Sequence, residues 1–248
     1  MNHLVRKLIL STGNAHKVQE IRALLSDAFE YATRADFPGA PRVEEDADTF
    51  AGNAAKKASH LAAWLAGSEI SNLKFEISNS WVLADDSGLE VDALNGAPGV
   101  HSARFAAMDE GAPGNSPDEA NNAKLFRLLK EVPWERRTAR FRCVIALATV
   151  PSSVTPGQKF DRLPLAAKLP VAFFDGTCEG RIGFAPKGNA GFGYDPLFVP
   201  IGFEESFAEL GEQAKNQISH RAKAMLKLRQ WLERTNGTAK NTKDTKQK

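Results

Sequence analysis

Residues Val82–Val91 read VLADDSGLEV. With Trp81 in front, the first part is the continuous apolar run of a buried strand. Asp85 and Asp86 follow it directly, and Ser87-Gly88 interrupt the run before LEVDAL resumes as a short continuation. Adjacent carboxylates repel each other and are costly to desolvate. Two of them at the end of a buried strand therefore point to the carboxyl edge of an open α/β sheet, the place where such sheets bind ligands. Successive strand side chains face opposite ways, so Asp85 and Asp86 need not share a role; one can orient while the other acts.

The flanking chain supports an α/β reading. Val5–Thr12 is a branched, apolar strand, broken by Gly13 and Asn14, and Val18, Ile21, Leu24 and Leu25 then follow helical spacing. Residues 29–37, FEYATRADF, read as a shorter strand. Residues 49–65, TFAGNAAKKASHLAAWL, form an alanine-rich helix with Asp48 or Thr49 as its N-cap. Ser116, Pro117 and Glu119 give the next helix a capping box. TARFRCVIALATV, ending at Val150, is a central strand. VAFFDGTCEGRIGF, ending at Phe184, reads as a strand pair around a glycine-containing turn, followed by a loop with Gly188, Gly191 and Gly193. The last helix puts Ala222, Met225, Leu226, Leu228 and Trp231 mostly on one face. Residues 67–80 read as a surface excursion, and 151–170, with four prolines, as a loop insertion. No linker divides the chain: residues 1–234 are expected to form a single domain with a cleft, and the apolar-poor tail 235–248 to be disordered.

The totals narrow the function. The chain has 248 residues, 42% apolar and 25% charged, with 32 basic and 30 acidic side chains for a net charge of +2. That balance gives no bulk argument for nucleic-acid or membrane binding. Cys143 and Cys178 form no CxxC pair and read as free, buried thiols. The N-terminal apolar run, Leu8–Leu10, is far short of the roughly 7–15 residues of a signal-peptide core. No stretch approaches the ~18 apolar residues of a membrane span. A cytoplasmic protein is expected.

Four polar clusters sit at element ends. Thr12, Gly13, Asn14 and Lys17 lie at a strand-to-helix turn, where free N–H groups and the helix dipole suit a phosphate. The pattern is neither a Walker loop nor a dinucleotide fingerprint. Glu44-Glu45-Asp46-Ala47-Asp48 carries more acid than the following helix dipole needs. Asp85 and Asp86 suit Mg²⁺, which is usually held by one or two carboxylates plus substrate phosphates. Finally, GNAGFGYDP and KNQISHR bring glycines for close approach, Phe192 and Tyr194 for stacking on a base, and Lys215, His220 and Arg221 as donors. The ligand common to all four is a nucleoside triphosphate with Mg²⁺.

STGNAHKVQE, TFAGNAAKKA, ADDSGLEVDALNGAPGVHSARF, GNAGFGYDPLF and KNQISHRAKA occur in that order between about residues 6 and 232. On these five motifs the chain resembles the inosine triphosphate pyrophosphatase (Ham1-like) family. The resemblance implies an elongated, mixed-sheet α/β fold with two lobes flanking a nucleotide-binding cleft. It implies Mg²⁺-dependent hydrolysis of ITP, dITP and XTP to the monophosphate and pyrophosphate, usually by a homodimer. It assigns the triphosphate to Thr12, Gly13, Asn14, Ala15, His16 and Lys17, together with Lys57. Asp86 would be proton acceptor and metal ligand, Asp85 would support the metal site, and Ser87 would contact substrate. Phe192, Gly193, Tyr194, Asp195, Lys215, His220 and Arg221 would hold the nucleoside. The family often shows Glu-Thr-Gly-x-Thr-Phe where this chain has Glu45-Asp46-Ala47-Asp48-Thr49-Phe50. Glu45 aligns as the metal-side glutamate, with Glu44 and Asp46 as competitors.

Two rivals differ in kind. A phosphatase working through an aspartyl-phosphate normally places its aspartates two apart, not adjacent. A nucleotide-binding sensor without turnover gains little from a general base.

Overall fold

The computed structural model describes residues 7–25, 29–67, 80–111, 113–151 and 166–244, with side chains as far as 235. Most of the expected excursion 67–80 and insertion 151–170, and the end of the chain, lie outside these residues.

In chain order the elements are β1 (Lys7–Leu10), α1 (Ala15–Leu25), β2 (Glu30–Thr33), α2 (Phe50–Gly67), β3 (Trp81–Val91), a 3-10 turn over Gly99–Arg104, α3 (Ala107–Glu110), α4 (Asp118–Leu128), β4 (Thr138–Thr149), β5 (Val171–Ile182), β6 (Phe198–Pro200), α5 (Phe207–Ile218) and α6 (His220–Asp244). They build one six-stranded mixed sheet in the order β2-β1-β3-β4-β5-β6. β1 is parallel to β2 and β3, and the remaining pairs are antiparallel. Among the described residues no helix is long and apolar enough to cross a membrane.

Side-chain alternation along the strands separates three apolar clusters. α2 lays Ala54, Ala58, Leu61, Ala62 and Leu65 on one face, against Ile9, Val82, Ala84, Ala146 and Ala148. Its alanines let the helix approach closely, while burial of Leu61 and Leu65 contributes about 1.5–3 kcal/mol each. α1 and α6 cover the other face, packing Ile21, Leu25, Met225 and Leu228 on Leu8, Leu10, Leu83, Ile145 and Leu147. The third cluster lies further along the same strands, where Leu89, Val91, Phe141 and Ile182 meet Leu125, Tyr194, Phe198 and Phe207. β3, β4 and β5 thus run through both lobes of the molecule.

Three local expectations are corrected. Ser87-Gly88 does not interrupt β3: the pairing with β4 runs unbroken from Trp81↔Thr149 to Val91↔Ala139. The glycine answers a steric demand, since a Cβ at Gly88 would meet Gly99 O at 2.4 Å and Ser102 Oγ at 2.5 Å. Likewise VAFFDGTCEGRI is one strand, not a pair, and Gly176 lies in its middle, where a Cβ would sit 2.0 Å from His220 O. Directly paired, Ser87, Cys143 and Gly176 make a row of small residues across the sheet, and the first turn of α6 rests on it. The capping box before α4 does not form. Pro117 is the N-cap, and Ser116 Oγ instead accepts from Ala107 N at 2.8 Å.

The other helix starts and faces hold more closely. Thr49 caps α2, accepting from Gly52 N at 3.0 Å. On α6, Met225 and Leu228 are buried but Leu226 is exposed. That helix continues to Asp244, into the segment read as a tail. Both cysteines are free and buried.

Candidate active site

β1 stops at Leu10, paired with Leu83, while β3 runs on to Val91. The parallel neighbour is missing beside Asp85 and Asp86, and the resulting notch opens at the β1–α1 turn. The carboxylates therefore stand mid-strand on β3, at the carboxyl end of β1. Ser11 N closes the notch floor by donating to Leu83 O at 2.8 Å. Above it, Thr12 Oγ1 accepts from Asn14 N (3.1 Å) and Asn14 Oδ1 from Lys17 N (3.2 Å), which caps α1. Gly13, Asn14, Ala15 and His16 are exposed, and a Cβ at Gly13 would meet no protein atom within 4 Å.

Asp85 points to the α1/α6 face. Its Oδ2 accepts from Arg221 Nε (3.1 Å), Arg221 Nη2 (3.0 Å) and Ser87 Oγ (2.5 Å), while Oδ1 pairs with Lys17. Burial pushes its carboxyl up, but Arg221, Lys17 and Lys57 outweigh it and hold Asp85 well below the usual carboxylate range. Arg221 also pairs with Glu20, and Lys215 Nζ reaches Glu20 Oε1 at 3.0 Å and Asp195 Oδ2 at 2.6 Å. Glu20 is held low by Arg221 and Lys215 against its burial, whereas burial keeps Asp195 raised despite Lys215.

Asp86 points to the α2 face. Lys57 Nζ lies 3.0 Å from Asp86 Oδ1 and 3.0 Å from Glu45 Oε2. Asn53 Nδ2 donates to Asp86 Oδ2 at 3.3 Å. Burial, with Glu45 adding to it, raises Asp86 to about 6 against the pull of Lys57 and Lys17. Glu45 stays low because Lys57 outweighs its burial. Of the neighbouring acids, Asp46 pairs with Lys56 at the surface and Glu44 is exposed.

Across the notch, the GFGYDP loop divides its side chains. Phe192 stacks on His16, with centroids 5.3 Å apart and planes 15° apart, and lies over Lys215 Nζ at 4.3 Å. Asp195 Oδ2 accepts from Phe192 N at 2.9 Å. Gly193 is clamped by α4: its N–H donates to Asp118 Oδ2 (2.6 Å) and its carbonyl accepts from Asn122 Nδ2 (2.9 Å). Tyr194 belongs to the core, 4% exposed, with its hydroxyl donating to Ser102 O at 2.9 Å, so Phe192 is the aromatic ring that borders the notch. His220 is buried and stacked on Phe141 at 4.8 Å; burial, then Arg221 and Lys215, keep its imidazole neutral. A cleft of about 520 Å³ runs past His16, Glu20, Phe192 and Lys215.

The structure thus gathers residues from all five motifs at one notch. Glu20, Asn53 and Arg104 lie inside the motifs but were given no role there; Arg104 Nη2 donates to Glu45 O at 3.0 Å. Glu20 and Asn53 do carry a local signal, standing four residues from His16 and Lys57 on the same helix faces.

The donors fit a hard cation. Glu45 and Asp86 converge on a single lysine nitrogen, and their mutual repulsion and burial keep one of them from ionising freely. Among the described residues no group of three or more His, Cys, Asp or Glu is placed to hold a metal ion by itself.

The Ham1 family model matches residues 8–231. The dITP/XTP pyrophosphatase of Desulforamulus reducens is 46% identical over 229 residues, covering 92% of this chain and 96% of the relative. That of Opitutus terrae is 42% identical over 236 residues, 92% and 100%. Among solved structures, a HAM1 protein from Coxiella burnetii superposes with a TM-score of 0.71 at 32% identity, covering 93% of this chain and 100% of its own. The mixed sheet is the one shared with solved Ham1 proteins. The chain belongs to the Ham1 family.

Proposed function

We propose that this protein is a nucleoside triphosphate pyrophosphohydrolase that converts dITP, ITP and XTP to the monophosphate and pyrophosphate with Mg²⁺. The observation that carries the reading is Asp86, a buried carboxylate shared between Lys57 and Asn53, beside the turn Thr12–Lys17 with its exposed residues Gly13, Asn14, Ala15 and His16.

The N–H groups of the turn and the start of α1 bind the phosphates, with His16 and Lys17 alongside and open space over Gly13 for close approach. Lys17 and Lys57 offset the charge that develops as pyrophosphate leaves. Asp86 accepts the proton of the attacking water and is largely ionised at neutral pH, since even its raised value is about 6. Glu45 and Asp86 hold the metal, which when bound polarises the phosphate oxygens. Asp85 supports the site from behind, fixing Lys17 and Arg221, and Ser87 lines the floor. Phe192 and Gly193 border the base. Lys215, His220 and Arg221 form the donor set beneath it, aimed at a 6-oxo group, and the Asp195 carboxylate accepts from Lys215 and fixes it there. Adenine presents an amino group there and leaves buried donors unmatched, which discriminates strongly.

The working unit is a single domain over residues 1–234, acting as a cytoplasmic homodimer on free nucleotides, with neither nucleic acid nor membrane as partner. A panel of nucleoside triphosphates with Mg²⁺, scored for pyrophosphate against orthophosphate, tests the reading. Pyrophosphate from dITP, ITP and XTP is expected; orthophosphate as the main first product overturns it.

A further inference from the structure

We propose that Asn53 is a positioning residue for this reaction, which locks the Asp86 carboxylate to the acidic loop carrying Glu45. The inference rests on the pyrophosphohydrolase reading above.

Asn53 is 1% exposed in the first turn of an alanine-rich helix whose other buried positions, Ser59 apart, are all apolar. A buried amide is costly unless its hydrogen bonds are made. Those of Asn53 converge on two places. Its Oδ1 accepts from Ala47 N at 2.9 Å and its Nδ2 donates to Ala47 O at 3.3 Å, so one side chain binds both polar groups of one loop residue. The same Nδ2 donates to Asp86 Oδ2 at 3.3 Å.

Lys57 repeats the pattern four residues later. Its ammonium binds the other Asp86 oxygen and Glu45 Oε2. Residues four apart lie on one helix face, so α2 presents a two-pronged grip in which each prong holds one Asp86 oxygen and one point of the acidic loop. The prongs differ in kind. Lys57 supplies charge. Asn53 supplies a neutral donor, which sets the plane of the carboxylate while leaving the local charge to the cation. The loop needs this support, because residues 40–48 belong to no helix or strand. Beyond the α2 prongs it is tied by Arg104 on Glu45 O and by Lys56 on Asp46. Asn53 stands behind Asp86 and is closed to the cleft, so its influence falls on the metal and the water and not on nucleotide contact.

Two variants of the full chain test the assignment. Asn53→Ala removes every side-chain bond. Asn53→Asp keeps the shape and the acceptor for Ala47 N–H but loses both donors. With dITP over a range of Mg²⁺, kcat is expected to fall about 10–100-fold in both, with KM for the nucleotide changed by no more than about threefold. Mn²⁺ binding to the nucleotide-free protein, read by electron paramagnetic resonance, should weaken about tenfold in Asn53→Ala. It should not weaken in Asn53→Asp, where a third carboxylate is added. A loss of kcat without a loss of metal affinity in the isosteric variant separates carboxylate orientation from simple metal loss.

The proposal is overturned if folded variants, checked by circular dichroism, keep kcat within about twofold of wild type, or if the whole loss is in KM. Should Asn53→Ala fail to fold, Asn53→Asp decides. A wild-type control that releases no pyrophosphate would instead overturn the underlying reading, an outcome visible in the same assay.

Discussion

Asp85 and Asp86 are consecutive in the chain, yet Arg221 grips the first from the α6 side of the sheet while Lys57 holds the second from the α2 side. The strand pleat separates them electrostatically. Asp85 is over-supplied with cations and held well below the usual range; Asp86, with less compensation, is raised to about 6.

Asp86→Asn should therefore separate activity from stability. Loss of the proton acceptor is expected to lower kcat by about 10²–10⁴-fold. The folded-state value of Asp86 lies above its ordinary 3.8, so its contribution to stability is present below that value and lost as pH rises through about 6. The variant has no such loss. Its melting temperature without metal should match or exceed wild type at pH 8, and the advantage should vanish near pH 4. Differential scanning calorimetry at the two pH values checks this; a variant less stable at pH 8 contradicts it.

Lys57→Met should move Asp86 further in the same direction. Burial and Glu45 push its carboxyl up, and Lys57 is the largest influence pulling it down. Carboxyl-detected NMR titration of the metal-free variant is expected to place the Asp86 midpoint above 6. A midpoint at or below the wild-type value would mean that Lys57 does not compensate Asp86.

Gly176→Ala tests the row of small residues beneath α6. A Cβ there would meet His220 O at 2.0 Å and Ala224 N at 2.6 Å, both backbone atoms that cannot swing aside. Overpacking is expected to cost about 1–3 kcal/mol or more in urea unfolding. Because α6 carries Arg221, kcat/KM should fall as well. Unchanged stability would show that α6 is not seated on the row.

Tyr194→Phe and Phe192→Ala should part company. The first removes one buried hydrogen bond, to Ser102 O, at a cost of about 1–3 kcal/mol of stability, with base preference unchanged. The second should raise KM for dITP while leaving the melting temperature nearly intact. A change in base preference in Tyr194→Phe would return that ring to the nucleoside site.

Much of this was legible in the residues. The alternation along VLADDSGLEV placed Asp85 and Asp86 on opposite faces, and the glycine-marked turn before α1 located the exposed N–H groups. What sequence could not supply was the partner across a gap. Ser87-Gly88 looked like a break because glycine commonly ends strands, but here it makes room for Gly99 O and Ser102 Oγ. Gly176 looked like a turn for the same reason and instead seats a helix 44 residues away. Tyr194 read as a stacking ring alongside Phe192, and only the fold shows its hydroxyl finding Ser102 O in the core. Of Glu44, Glu45 and Asp46, only the fold shows that Glu45 is the one whose carboxylate reaches Lys57.

β3, β4 and β5 each pass through both lobes, with the Asp85–Ser87 segment near the middle of β3. Lobes joined by a linker open by rotation; lobes joined by a common ladder open only by bending and twisting it. Widening of the cleft then loads the ladder that both lobes share. Asp86 rides on the spring itself, so breathing of either lobe alters what approaches the carboxylate far more than where the carboxylate stands.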